Sequence, residues 1–249
     1  MHTFTRSARS FVALSFSLAV LPLHAQQLPD ARAVLARYAQ ATGAAKIATL
    51  PGRHTKGTIE MSAQGMTGTV EGYADKDGRN IQMISLAGID FRTGVDTNFA
   101  WSIDAMQGPR LIQGKEFEEQ REDLDPRAMR RDPAVVVEAT TIERATVDGQ
   151  PCIKLHLKWK STKETTECYS EATGLLVSKE GTQTSAMGQM QLTTLYADYK
   201  TFEGVTVPTK VTQRAAGTEL VSRMTEVTFG PVDPAKLAPP PEIVALRKK

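Results

Sequence analysis

From Arg53 to Phe229 the chain repeats one pattern: a short run of alternating apolar and polar residues, then a turn signal. Thr55-Lys-Gly-Thr-Ile-Glu-Met-Ser leads to Gln64-Gly65, and Met66-Thr-Gly-Thr-Val-Glu-Gly-Tyr leads to Asp77-Gly78. Asn80 to Leu86, Ile89 to Val95 and Phe99 to Ile103 continue the series. Beyond a polar interlude come Val135 to Thr146, Asp148-Gly149, Cys152 to Lys160 and Thr165 to Ser170. Leu175 to Thr184, Gln189 to Tyr199, Val205 to Arg214 and Glu219 to Phe229 complete it. Alternation with period two places successive side chains on opposite faces of a strand. Asp-Gly supplies the positive φ of a hairpin turn. The pattern predicts about ten or eleven strands in a meandering antiparallel sheet, and so a mainly β protein with a minor α part.

Helical signals are few. Asp30 can cap a helix that carries Val34, Leu35 and Tyr38 on one face and stops at Gly43. Lys115 to Leu124 forms a second, with Phe117 and Leu124 as its large apolar residues and Pro126 as its break. Its charges read as a solvated surface. A short helix follows Pro239-Pro240-Pro241. The faces of the sheet differ: Ile153, Leu155, Leu157 and Trp159 point one way, and Lys154, His156 and Lys158 the other. An oily face must curl on itself or be covered. Met61, Met66, Met83, Met106, Met187, Met190 and Met224 lie in or beside strands, either as core gap-fillers or as an adaptable surface for an apolar guest.

The first 25 residues stand apart from this pattern. Arg6 and Arg9 precede an apolar run, Phe11 to Leu23, which ends in Leu23-His24-Ala25. That order is the layout of a cleaved secretory signal, with residues 26–249 as a single domain working in the periplasm. A run of about 13 residues is too short for a stable bilayer span. The whole chain has 30 Lys+Arg against 28 Asp+Glu, and the leader holds two Arg and no acid, so the remainder balances. No concentrated basic face suggests nucleic acid. No second apolar stretch suggests a membrane-spanning helix.

Candidate chemistry is sparse. There is no Gly-x-Ser-x-Gly elbow, Cys-x-x-Cys pair, His-Glu-x-x-His helix or phosphate-binding lysine loop. His54 and His156 each stand alone, a thin supply for a metal, so no catalytic residue, metal site or cofactor is expected. Glu138, Glu143 and Glu167 have Lys and Arg available across strands. With Ser161-Thr162 as a two-residue turn, Leu155 faces Cys168 and Cys152 faces Glu171. The two cysteines then occupy opposite faces and should stay unpaired. Trp101, with Gly108-Pro109-Arg110 after it, is the most individual stretch, either a core Trp or one lining a cavity beneath the second helix.

Taken together, the chain resembles the LolA-like periplasmic proteins, the outer-membrane lipoprotein-sorting superfamily, in an uncharacterised branch. The likeness rests on Lys56-Gly57-Thr58, Phe99-Ala-Trp-Ser, Gln107-Gly-Pro-Arg-Leu, Thr165-Thr-Glu, Thr173-Gly174-Leu-Leu-Val and Val207-Pro-Thr-Lys. It implies an open β half-barrel whose apolar concave face is closed by helices and holds acyl chains. The carriers' Lys-Pro-Gly turn is replaced here by Lys76-Asp77-Gly78-Arg79. The expected function is non-catalytic binding of a hydrophobic, lipid-like ligand. Its lining would be Trp101, Met83, Phe91, Met106, Phe117, Leu155, Leu157 and Trp159, under a mobile Lys115–Leu124 cover. The alternative is an envelope module that binds a protein partner through its sheet.

Overall fold

The computed structural model describes residues 27–105, 107–185 and 188–248. The leader, Met106 and Met187 therefore lie outside the described residues. Helices α1 (Ala31–Ala41) and α2 (Ala44–Ile47) come first. Strands β1 (Gly52–Met61), β2 (Met66–Asp75), β3 (Asn80–Leu86), β4 (Ile89–Val95), β5 (Ala100–Asp104) and β6 (Gly108–Ile112) follow. A crossover carries α3 (Gly114–Leu124) and α4 (Pro126–Met129). The second run is β7 (Val136–Val147), β8 (Gln150–Trp159), β9 (Glu164–Ser170), β10 (Leu176–Ser185), β11 (Gly188–Phe202), β12 (Val205–Ala215) and β13 (Thr218–Phe229), and α5 (Pro241–Leu246) ends it.

All 13 strands form one antiparallel sheet in the order β6-β5-β4-β3-β2-β1-β13-β12-β11-β10-β9-β8-β7. The chain meanders to one edge, crosses through α3 and α4 to the other edge, and meanders back until β13 pairs with β1. The sheet is open and curled, with β6 and β7 as its free edges. The antiparallel sheet read from the alternation and the half-barrel implied by the resemblance are what the chain forms. Its 13 strands exceed the ten or eleven expected, because every alternating segment pairs and the stretch around Gly108-Pro109-Arg110 adds a further strand, β6, against β5.

The oily face of β8 is not left open. Ile153, Leu155, Leu157 and Trp159 pack with Tyr169 and Leu176 beneath Ala31 and Leu35 of α1, Ala128 of α4 and the neighbouring Val135 and Val136. Asp30 caps α1, accepting a hydrogen bond from the Ala33 amide at 2.9 Å. At the other wing, Phe117 and Leu124 of α3 pack against Val95, Ala100 and Ile112. The back of that wing carries Trp101, Ile81 and Ile243, the last from α5. Gly94 is required there, because a Cβ would collide with the Trp101 indole.

The expectation about the cysteines is overturned. Cys152 and Cys168 form a disulfide with a Cα–Cα distance of 5.6 Å. The β8–β9 loop holds three residues, Lys160, Ser161 and Thr162, and closes with Trp159 N–H donating to the Lys163 carbonyl at 2.8 Å. Thr162 adopts the left-handed region, φ 67°. One extra residue reverses the parity of β9, so Lys154 faces Cys168 and Cys152 faces Ser170. Both sulfurs then share the convex face, where Val177, Ala145 and Val147 cover them.

Candidate functional site

The same parity reversal turns Thr165, Glu167 and Tyr169 inward. Glu167 is completely buried, and Arg131, just beyond α4, meets it. Arg131 donates from Nε to Glu167 Oε2 at 2.8 Å and from Nη2 to Oε1 at 3.1 Å. It also donates to the Ala128 carbonyl and to the Tyr169 hydroxyl, while that hydroxyl donates to Glu167. The guanidinium lies 5.3 Å from the ring centres of both Tyr38 and Trp159. Burial pulls the Arg131 pKa down, but Glu167, Tyr169 and Tyr38 together outweigh it and hold the group well above its ordinary value. Burial raises the Tyr169 hydroxyl strongly, and Tyr196 and Tyr199 in the same direction. The pair is a bidentate, fully dressed ion pair that fixes α4 to the sheet.

Beside this plug the concave face is hollow. A chamber of about 460 Å³ lies over β9 to β13, beneath α3 and α4. Its wall includes Trp159, Leu176, Leu192, Tyr196, Tyr199, Val211 and Met224, interspersed with Lys179, Gln183, Thr184, Thr194 and Gln213. A second cavity of about 240 Å³ adjoins it, lined by Ile47, Leu50, Leu124, Val205, Val207 and Phe229. The two share Arg53, Asp123, Met129 and Val207 as wall.

The charged helix α3 is a strap rather than a wholly solvated face. Glu116 pairs with Arg110 of β6 at 2.6 Å, and buried Glu119 accepts from the Thr184 amide of β10 at 3.3 Å. Glu122 accepts from the Ser161 amide at 3.0 Å. Asp123 meets Lys163 at 2.6 Å and Lys179 at 3.3 Å. Burial opposes the Asp123 charge, but Lys179 and Lys163 together hold its carboxyl below the usual range. Lys163, Lys179 and Arg131 all stand within 5.0–5.6 Å of the Trp159 ring centre.

The eight residues expected to line one cavity are dispersed. Trp159 borders the chamber. Leu155 and Leu157 are fully covered in the plug, because α1 and α4 already occupy the oily strand. Phe117 points away from the chamber into the β4–β6 wing. Trp101 and Met83 belong to the opposite face of the sheet, under α5, since Met83 and Trp101 share the parity of Ile81. Phe91 is half-buried on β4, opposite Ile84, and is not part of the chamber wall. Met106 lies outside the described residues. Arg53, Arg131, Glu167 and Lys179 went unrecognised as a group. The one sequence signal for them was a charged or polar residue recurring at inward positions of strands otherwise read as oily.

Among the described residues no group of His, Cys, Asp and Glu is placed to hold a metal ion. None of their helices is long and apolar enough to cross a membrane.

No protein-family model matches the chain, and no curated protein does. Solved structures do. A DUF1329 family protein from Desulfovibrio piger aligns with a TM-score of 0.55 at 15% identity, over 84% of this chain and 98% of that one. A LolA superfamily protein from Nitrosomonas europaea aligns with a TM-score of 0.53 at 10% identity, over 85% and 98%. An outer membrane lipoprotein-sorting protein domain from Vibrio parahaemolyticus gives 0.51 at 12%, over 80% and 94%. At such identities the likeness speaks for the fold alone. A curled, open antiparallel sheet strapped by helices across its concave side is the LolA-like fold, and this chain has it.

Proposed function

We propose that the protein is a non-catalytic binding protein or carrier for a hydrophobic, lipid-like ligand, acting in the periplasm. The observation that carries this reading is the hollow half of the concave face, where a chamber and a side cavity, each with apolar wall, adjoin beneath helical cover. Volumes of this size fall in or near the range of small-molecule sites, roughly 300–1,000 Å³. The lipoprotein-sorting and LolA-superfamily likenesses support the same reading by analogy of fold. The basic, apolar, small-residue order of the first 25 residues supports export.

The test is titration of delipidated, folded protein with a C8 to C18 fatty-acid series, read by Trp159 fluorescence, with native mass spectrometry of protein purified from its own compartment. Affinity should rise with chain length, since each CH₂ removed from water contributes about 0.8 kcal/mol. No saturable binding across the series would end the carrier reading. A second reading then takes over, a module that binds a protein through its sheet. It is favoured by Val137 and Ile142, which are 46% and 44% exposed on the edge strand β7.

A further inference from the structure

Every cation around the chamber except one has its counter-ion. Arg131 is held by Glu167, Lys163 and Lys179 by Asp123, Arg110 by Glu116, and Lys115 by Glu119. The Arg53 side chain makes no hydrogen bond or ion pair among the described residues, yet the residue lines both cavities. Its neighbours across the strands are Ala74 and Phe229, a methyl and a ring that offer the guanidinium nothing to donate to. Asp123, the carboxylate that shares both walls with it, is already committed to two lysines. Burial without a partner lowers the Arg53 pKa. A half-buried guanidinium with no protein partner is open to a ligand, and its five N–H donors in a planar fork match carboxylate or phosphate oxygens.

Apolar wall adjoins the unpaired cation on both sides. On one side the smaller cavity carries Ile47, Leu50, Leu124, Val205, Val207 and Phe229, together with Lys76, Asn80 and the mutually paired Asp75 and Arg79. On the other, the chamber offers the hydroxyl of Thr194 and the amides of Gln183 and Gln213 beside Leu192, Val211 and Met224. An amphiphile is the kind of molecule that satisfies both. We infer that Arg53 binds the anionic head, carboxylate or phosphate, of an acyl ligand whose chain enters the side cavity. This rests on the carrier reading and narrows it, because a neutral lipid of equal chain length would leave the guanidinium unpaired.

The experiment holds the tail constant and varies the head. Dodecanoate, dodecyl phosphate and 1-dodecanol are titrated calorimetrically, below their aggregation limits, into wild type, Arg53→Met and Arg53→Lys. Thermal melts confirm that each variant is folded. In wild type an anionic ligand should bind at least tenfold tighter than the alcohol. Arg53→Met should erase that preference while leaving alcohol affinity within threefold, and Arg53→Lys should retain part of it. Stronger binding of dodecyl phosphate than dodecanoate assigns a phospholipid-type head, and the reverse order assigns a free acid. Equal affinity of all three ligands in wild type, or equal loss for acid and alcohol in Arg53→Met, overturns the role of Arg53 and leaves the carrier reading standing. Absence of binding by all three overturns both.

Discussion

On β8 the inward residues Ile153, Leu155, Leu157 and Trp159 are no more than 5% exposed, covered by α1 and α4. On β10 to β12 the inward positions include Lys179, Gln183, Thr194 and Gln213, and the space above them is a chamber. The two regions belong to one sheet and face the same way, so curvature does not explain the difference. What differs is the apolar area each has to bury. Helix α1 gains by sitting on four large apolar side chains, at about 1.5–3 kcal/mol for each one fully buried. Over the polar strands a helix would have to strip water from amines, amides and hydroxyls, at a cost unless each found a partner. Cover goes where it is stabilising, and the hollow is what remains.

The comparison can be broken most forcefully at the ion pair on its boundary. Glu167→Ala should destabilise the protein by about 3–5 kcal/mol, because it leaves Arg131 buried without a counter-charge. Urea unfolding measures this, and a change below 1 kcal/mol would mean that water reaches Arg131 freely. Next, matched truncations compare the regions directly. Leu157→Ala in the plug should cost about 2–5 kcal/mol. Leu192→Ala, whose half-buried side chain borders the chamber, should cost well under half as much in the same assay. Equal costs would mean that the chamber is packed like the plug.

The disulfide sharpens the comparison on the convex side of the plugged half. Cys152→Ala with Cys168→Ala opens a link of sequence separation 16 and should cost about 3 kcal/mol. Unreduced, alkylated protein should show two unblocked sulfurs bridged in one peptide pair by mass spectrometry.

A smaller, local effect is expected in α3. Its apolar anchorage is Phe117 and Leu124 and the rest is polar strapping, so its amides should exchange with deuterium well before those of β8. Equal protection would remove the idea of an opening cover.

The smallest effect is with pH. Asp123 has its pKa held below the ordinary 3.8 by Lys179 and Lys163 against the effect of burial. The unfolded chain therefore takes up this proton at a higher pH than the folded one, and acid favours unfolding. The contribution is complete above 3.8 and lost as pH falls through the folded value. Thermal melts of wild type and Asp123→Asn should differ at pH 6 and converge as acid takes the pH below the ordinary carboxylate value of 3.8. A constant gap would remove the strap from the acid response.

Much of the fold was legible because period-two alternation is a local property that survives any register. The antiparallel meander and the apolar face of β8 follow from it, and α1 and α3 follow from equally local capping and breaking signals. The site was less legible, and the loss traces to single residues. Reading Ser161-Thr162 as a two-residue turn put Cys168 on the apolar face. The observed three-residue loop puts Glu167 there instead. One residue of loop length thus hid both the disulfide and the buried carboxylate. Its partner Arg131 was beyond reach in another way, since it sits in a charged run 36 positions earlier and is brought home by the crossover.

The amino-acid sequence by itself determined the strand ladder, the two-faced sheet, the scarcity of helices and the absence of a recognisable catalytic motif, because each depends on neighbours in the chain. Only the tertiary structure decided which part of the concave face is filled and which is hollow. That depends on where α1, α3 and α4 come to rest, and their positions follow from contacts between residues far apart in sequence. It also decided that Arg53, one basic residue among 30, is the cation at the chamber left without a partner among the described residues. Pairing is a property of the assembled charges, and no pattern within one strand records it.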